Sequence, residues 1–310
     1  MTDMDNSIIF PAPLSYGDKI AICSPAGPVK AENVEGACAV LEAEGWRTEV
    51  MPHTLGKNGI YSGSDTERFD DLCQALLDPE VKAVICSRGG YGVVHILERL
   101  ARLDLRANAK WLVGFSDISA LHALLASNGV ASIHGSMASH IKLGPDDPDN
   151  ASLFAILRGE RPAYSFDSHD YDRFGISTGR LLGGNLAVLA ELINTPYDII
   201  RPGSILFLED VAEPIYKIER ILYQLRLSGV LARLNGLIVG QFTDYKPNDN
   251  YERMEDMVRD MTAAYDYPVA FNVPIGHVDH NIPVIESAKV TLKVSPSGRN
   301  SLIFHRYTDV

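Results

Sequence analysis

The sequence has few cysteines, and none has a spacing that predicts a metal or redox role. Cys23, Cys38, Cys73 and Cys86 are the four cysteines among 310 residues, and they form no CxxC pair. Zinc ribbons and thiol–disulfide motifs need such a pair. We therefore expect four reduced thiols in apolar surroundings, which favours a cytoplasmic location.

Long apolar runs are also missing. No stretch approaches the roughly 20 apolar residues that cross a bilayer. The first residues, MTDMDNSIIFPAP, contain two aspartates and no basic residue before a short apolar run. A secretory signal has a basic start and a longer apolar segment, so the sequence predicts neither a membrane anchor nor secretion.

Basic residues are too few for a nucleic-acid-binding protein. The chain has 28 Lys and Arg against 40 Asp and Glu, a formal net charge of −12. Nucleic-acid partners and anionic lipid surfaces both select for a basic face, so we expect neither. The length suggests two domains, at roughly 150 residues each.

Strand and helix signals alternate through the first half of the chain. Short apolar runs at 19–23, 81–86 and 111–115 each lead into a turn and then a segment of helical period. This alternation predicts a parallel sheet covered by helices. We assign 1–150 to this domain, 151–178 to a polar linker, and 179–310 to a smaller α/β or β-rich domain.

One candidate site is the loop Gly114-Phe115-Ser116-Asp117, which joins a predicted strand to a helix. Ligands of open parallel sheets bind beyond the carboxyl ends of the strands. Ser116 could present its hydroxyl there, with the Asp117 N–H as an oxyanion donor. Alternatively, Ser116 or Asp117 simply caps the helix.

A second loop, Arg88-Gly89-Gly90-Tyr91-Gly92, is rich in glycine. Adjacent glycines after a strand let the backbone approach a ligand and direct N–H groups at negative charge. The loop matches neither common nucleotide-binding pattern. A tight turn without a ligand is the alternative.

The second half supplies histidines and carboxylates. His277 and His280 flank Asp279 in one loop, but their spacing is unusual for zinc and no third ligand is apparent. A single catalytic histidine is the other functional interpretation. Carboxylates follow the strand 205–208 at Glu209, Asp210 and Glu213, where charges at a helix start are an equally good explanation.

The order of these residues along the chain is informative. A serine, a carboxylate and a histidine each follow a predicted strand, and a Ser–Glu–His relay needs a nucleophile, a base and a group that orients the base. The serine comes from the first domain and the others from the second. We therefore expect the active site in the cleft between domains.

Six ordered segments resemble signature segments of the LD-carboxypeptidases, a family of serine peptidases. The resemblance extends from about Gly17 to beyond Ala288. The segments are Ser24-Pro25-Ala26-Gly27, Ser87-Arg88-Gly89-Gly90-Tyr91-Gly92, Gly114-Phe115-Ser116-Asp117, Gly183-Gly184-Asn185-Leu186, Leu208-Glu209-Asp210 and Pro274-Ile275-Gly276-His277.

The resemblance implies a catalytic triad of Ser116, Glu209 and His277. It implies oxyanion donors at the backbone N–H groups of Asp117 and Gly90. It also implies a flavodoxin-like N-terminal domain with a smaller C-terminal domain, a homodimer, and no metal or organic cofactor. We further expect substrate contacts from Arg88, Gly89 and Asn185.

The resemblance leaves two activities open. One removes the terminal D-alanine from murein tetrapeptide during peptidoglycan recycling, and the other hydrolyses aminoacyl-adenylate analogues as microcin C immunity proteins do. Immunity-type members resemble longer chains with an aromatic substrate loop. The only tryptophans here are Trp46 and Trp111, outside the connecting region, which favours the peptidoglycan activity. A two-domain protein that binds a small ligand without catalysis is the remaining alternative.

Overall fold

The computed structural model describes residues 8–305 in two compact units. The first unit extends to Arg161 and also takes in Ile282–Ser287; the second comprises Pro162–Asn281 and the chain from Ala288. Residues 1–7, which belong to the stretch used to predict the absence of a secretion signal, lie outside the described residues. So do residues 306–310 at the end of the predicted second domain.

Within residues 8–305 the strands divide between two sheets. In chain order they are β1 (Lys19–Cys23), β2 (Arg47–Val50), β3 (Val81–Cys86), β4 (Trp111–Gly114), β5 (Ser132–His134), β6 (Ala163–Asp167), β7 (Gly175–Asn185), β8 (Ile205–Val211), β9 (Gly236–Thr243), β10 (Val269–Ala270), β11 (Val284–Glu286), β12 (Lys289–Val294) and β13 (Arg299–Phe304).

Helices follow most strands of the first unit and several of the second. They are α1 (Ala31–Ala43), α2 (Asp65–Leu77), α3 (Val94–Leu100), α4 (Ser119–Ser127), α5 (Ala138–Ile141), α6 (Pro148–Leu157), α7 (Leu186–Glu191), α8 (Ile215–Leu227) and α9 (Met254–Thr262). Single 3₁₀ turns occupy Ser116–Ile118 and Leu231–Arg233.

The sheet of the first unit has the strand order β2-β1-β3-β4-β5, all parallel, with β11 added antiparallel beside β5. This is the flavodoxin-like order of a doubly wound sheet. The central strands β1, β3 and β4 are nearly all buried, as expected for parallel strands with helices on both faces. The predicted fold of the first domain is confirmed.

Helix α2 begins with a capping box. Ser64 and Glu67 form it, since each side chain binds the backbone N–H of the other. This reciprocal pair satisfies two donors that a helix start otherwise leaves unpaired.

The sheet of the second unit has the order β10-β9-β8-β7-β12-β13-β6. Strands β7 to β10 are parallel, and β12, β13 and β6 pair antiparallel. The unit is therefore a β-rich α/β domain, as predicted. The apolar strand β8 lies inside the sheet, between β7 and β9.

Several predicted boundaries differ from the structure. The segment 151–178, predicted as a linker, holds most of α6, all of β6 and the start of β7. Residues at the start of β7 alternate between partly and fully exposed, with Ile176 and Thr178 the exposed ones, because that part has one face outside the core. The predicted strand 205–208 continues to Val211 in the structure.

No helix formed by residues 8–305 combines the length and the apolar character needed to cross a bilayer.

Candidate active site

Ser116 lies in a strained turn between β4 and α4. Its φ angle is +67°, in the left-handed region that non-glycine residues seldom adopt. Phe115 before it is extended, with φ of −152°. Strand-to-helix turns of this strained kind are the ones in which nucleophile elbows present a serine hydroxyl beyond a sheet.

The glycine turn after β3 packs against Ser116. A Cβ atom added at Gly89 would lie 2.6 Å from Cβ of Ser116 and 2.9 Å from its Oγ. Gly90 has φ of +128° and lies close to Gly27. A Cβ atom added at Gly90 would be 3.0 Å from Cα of Gly27. The first unit therefore brings the predicted nucleophile and the predicted glycine donor turn together.

Asp117 connects the same two loops through its side chain. Its buried carboxylate accepts a hydrogen bond of 2.9 Å from the backbone N–H of Val93, the residue that precedes α3. The residue in the N-cap position of α4 is Ile118, not Ser116 or Asp117. The Asp117 carboxylate instead binds the N–H at the start of α3.

Arg68 also fixes the loops of this site, and the sequence analysis missed it. This buried arginine donates from Nη1 to the carbonyl oxygens of Pro25, at 2.6 Å, and Gly92, at 2.7 Å. The N–H of Gly27 donates to the carbonyl of Gly89 at 3.0 Å. An arginine inside a helix whose start is polar gives no signal of this role, because its acceptors are backbone carbonyls.

In the second unit, Glu209 and His277 form a hydrogen-bonded pair. Nδ1 of His277 lies 2.8 Å from Oε2 of Glu209. The Glu209 side chain is fully buried and that of His277 is 22% exposed. Glu209 is inside β8 rather than on a loop after it, which holds its carboxylate rigid between neighbouring strands.

A glycine makes this pair possible. Gly276 has φ of +131°, and a Cβ atom there would lie 2.9 Å from Cβ of Glu209 and 3.0 Å from its Oε2. The N–H of Gly276 donates to Oδ1 of Asn281 at 2.9 Å, which closes the loop on itself. The sequence Gly276-His277 is therefore needed as a unit.

The surroundings of His277 shift its pKa. Burial lowers the pKa of the imidazole, but the hydrogen bond that it donates to Glu209 and the negative charges of Glu209 and Asp210 outweigh burial, so the net pKa is raised. A carboxylate on Nδ1 leaves the proton there and gives Nε2 the character of a base. This is the arrangement that a general base needs.

Asp210 and Asn185 are structural neighbours of this pair. Burial, followed by the charge of Glu209, raises the pKa of Asp210 to about 6, although its oxygens accept from the N–H groups of Ala187 and Val211. Asn185 donates to Oδ1 of Asp210 at 3.1 Å and accepts from the N–H of Val188, as the N-cap of α7. A substrate contact from Asn185 stays a prediction.

Glu213 has a different partner from Glu209. It forms an ion pair of 3.0 Å with Lys217, one turn later on α8. The two carboxylates that the sequence could not separate are thus separated by their partners, since Glu209 binds His277 and Glu213 pairs with Lys217.

The group of potential metal ligands found among the described residues lies away from the histidine loop. Across residues 8–305, the ligand atoms that converge belong to His140, Asp147 and Asp149, in the first unit. Asp147 there caps α6, because Oδ1 accepts from the N–H groups of Asp149 and Asn150. The metal interpretation of His277, Asp279 and His280 receives no support from this geometry.

Comparison with known proteins identifies the class. The family model described as the LD-carboxypeptidase N-terminal domain matches residues 20–135, and that of the LD-carboxypeptidase C-terminal domain matches residues 178–292. The murein tetrapeptide carboxypeptidase of Pseudomonas aeruginosa is 32% identical over 85% of this chain and 89% of its own. The chain belongs to the LD-carboxypeptidase family, and is therefore a member of a family of peptidases.

Solved structures agree with this assignment. The muramoyltetrapeptide carboxypeptidase of Oxalobacter formigenes superposes with a TM-score of 0.83 at 28% identity, over 93% of this chain and 99% of its own. A microcin C7 self-immunity protein, solved with aspartyl sulfamoyl adenosine, gives a TM-score of 0.84 at 21% identity, over 96% and 99%. At that identity the second likeness shows the shared fold alone.

Proposed function

We propose that this protein is a serine carboxypeptidase that removes the terminal D-alanine from murein tetrapeptide, and that it acts in peptidoglycan recycling. The observation that carries the proposal is the hydrogen bond between Glu209 and His277, because a buried carboxylate on Nδ1 prepares Nε2 to accept a proton. The strained turn at Ser116 adds the matching nucleophile. The names of the relatives supply the substrate.

The proposed reaction has two steps. In the first, Oγ of Ser116 attacks the carbonyl before D-alanine while Nε2 of His277 takes the hydroxyl proton. The N–H groups of Asp117 and Gly90 stabilise the oxyanion, each typically worth about 3 kcal/mol. As the C–N bond breaks, His277 returns the proton to the amine of the departing D-alanine, which leaves an acyl-enzyme.

In the second step, water replaces D-alanine as the reacting group. His277 takes a proton from water, the hydroxide attacks the acyl carbon, and the proton returns to Oγ of Ser116 as the tripeptide leaves. Glu209 keeps the imidazole in one tautomer and stabilises its charged form throughout. No cofactor takes part in either step.

We also infer a cytoplasmic location and a homodimer. The free thiols of all four cysteines suit a reducing compartment. The dimer is carried over from the family resemblance, and exposed side chains of Tyr216, Tyr223 and Leu227 along α8 offer an apolar strip for a second copy. Light scattering on the purified protein tests the dimer, and a Leu227→Asp variant should weaken it if α8 is the interface.

The substrate is tested by incubating the protein with murein tetrapeptide and with an aminoacyl sulfamoyl adenosine in parallel. We expect D-alanine from the first and little hydrolysis of the second. Both tryptophans are buried in the core, so neither offers a surface on which a nucleobase could stack. Preferred hydrolysis of the nucleoside would instead assign the immunity activity, and no hydrolysis of either would favour a binding protein.

A further inference from the structure

The first unit contains a cavity of about 540 Å³ beside the start of α1. Four of its lining residues are basic, namely Lys30, Lys57, Arg88 and Lys142, and the one acidic lining residue is Glu32. The chain as a whole carries a net charge of −12. The positive charge of this cavity is therefore local and opposite in sign to the net charge of the chain.

The basic side chains of the cavity have few anionic partners. Lys57, Arg88 and Lys142 form no ion pair with any carboxylate in the described range 8–305. Glu32 lies 3.7 Å from Lys30, and both side chains are more than 60% exposed, so that pair contributes little. The cavity thus presents charges that the protein does not neutralise itself.

Two of these side chains are held in position by neutral acceptors. Nη1 of Arg88 donates to the carbonyl of Pro28 at 3.0 Å, and Nζ of Lys142 donates to Oδ1 of Asn33 at 2.6 Å. Each bond uses one N–H and leaves others on the same group for a ligand, since guanidinium carries five and ammonium three. The start of α1, which no side chain caps, adds its positive dipole end.

The cavity adjoins the proposed nucleophile through the backbone. Arg88 directly precedes Gly89, and Gly89 is the residue whose added Cβ would lie 2.6 Å from Cβ of Ser116. Consecutive Cα atoms are about 3.8 Å apart. Arg88 therefore connects this cavity to the glycine turn that packs on the proposed nucleophile.

We propose that this cavity binds an anionic group of the substrate, a carboxylate or phosphate, remote from the bond that is cleaved. The inference rests on the proposed function in one respect, that the anion is part of the peptide on which Ser116 acts. It adds a specificity: peptides with acidic groups beyond the C-terminal carboxylate bind more tightly than neutral ones. The cavity volume and its three cations without an ion pair among the described residues, Lys57, Arg88 and Lys142, suit a ligand with more than one anionic group.

Binding is measured by calorimetry on a Ser116→Ala protein, so that no turnover occurs. The probes are a D-alanine-terminated tetrapeptide with free side-chain carboxylates and the same peptide with those carboxylates amidated. We expect the acidic peptide to bind at least about tenfold more tightly, and the preference to decline as salt is raised. Inorganic phosphate and glutarate, added as competitors, distinguish a phosphate preference from a carboxylate preference.

A Lys57→Gln/Lys142→Gln double variant should weaken binding of the acidic peptide about tenfold and leave the amidated peptide unchanged. Arg88→Gln should act in the same direction. Lys82→Gln is the matched control, because Lys82 is an exposed cation on β3 that also donates to a backbone carbonyl, that of Pro79. Circular dichroism checks that each variant is folded.

The outcomes separate this inference from the proposed function. Equal binding of the two peptides, or an equal loss with Lys82→Gln, overturns the cavity as an anion site. Charge-selective binding in the Ser116→Ala protein, combined with no D-alanine release by the unaltered enzyme, keeps the anion site and overturns the proposed reaction. In the active enzyme, the double variant should raise KM for the acidic peptide and leave kcat nearly unchanged.

Discussion

The two units position their proposed catalytic groups in different ways. In the first, backbone conformation sets the position: Ser116 has a positive φ, and glycines 89 and 90 allow the chain to pack on it. In the second, buried charge sets the proton affinity, since Glu209 is fully buried against His277 and raises the pKa of that imidazole. A nucleophile needs placement, whereas a base needs a tuned proton affinity, and under the proposed mechanism each unit would supply one of these.

Of the changes that test this difference between the two units, Ser116→Ala should have the largest effect on kcat. Removing the nucleophile should lower kcat for D-alanine release about 10⁶-fold, because the other members of a triad cannot replace it. Ser127→Ala is the control, since that hydroxyl only binds carbonyls within α4. A folded Ser116→Ala enzyme with normal turnover would remove the serine mechanism altogether.

Glu209→Gln tests the buried charge of the second unit, which contacts His277. The amide keeps the size of the side chain but can leave His277 in the wrong tautomer, so we expect a loss of roughly 10⁴-fold in kcat. Glu213→Gln, whose carboxylate contacts Lys217 instead, should change the rate less than about threefold. Reversed results would show that the triad uses the other carboxylate.

Gly89→Ala tests the backbone packing around Ser116 in the first unit and replaces none of the proposed catalytic side chains. The new Cβ would crowd both Cβ and Oγ of Ser116, and a displacement near 1 Å can cost about 100-fold in rate. Gly144→Ala is a suitable comparison, because Gly144 has φ of +97° but nothing within 4 Å of an added Cβ. That variant should lose stability and keep its kcat; a similar fall in kcat for both would attribute the effect to stability alone.

The smallest expected effect is on the pH profile. His277 acts as a base only when neutral, and its pKa is raised above the ordinary 6.5, so kcat/KM should rise with pH through a midpoint above that value. The pH profile of the residual activity of Glu209→Gln should have a lower midpoint. Burial lowers the pKa of His277, and in this variant the Glu209 charge no longer opposes that effect. A midpoint in that variant equal to or above the original would contradict the role of the Glu209 charge; Glu213→Gln should leave it unmoved.

The sequence predicted the turns around Ser116 in the first unit better than the carboxylate partner of His277 in the second. Loops rich in glycine and serine after apolar strands mark the turns at 88–92 and 114–117, because few residue types tolerate such conformations. By contrast, nothing local distinguishes Glu209 from Asp210 or Glu213, since their roles depend on partners distant in the chain. The choice of Glu209 came from the family resemblance, and the contact with His277 now gives it a physical reason.

Other omissions have similar causes. Helix α9 was not predicted, although Met254, Met257, Val258 and Met261 recur at helical spacing and are buried. That spacing is the local signal of this helix. Strand β11 could not be found this way, because it has three residues and pairs with β5, about 150 residues earlier.

Strand β11 also determines how the polypeptide can be divided. Because Ile282–Ser287 belongs to the first unit, the chain passes between units at three points, after residues 161, 281 and 287. A single proteolytic nick near 161 would leave the halves joined through the later passages. A fragment ending at Arg161 would lack β11 and expose β5 as an unprotected edge strand, open to pairing with other chains. The unit that carries Ser116 is thus completed only by residues translated after His277, beginning five positions beyond it.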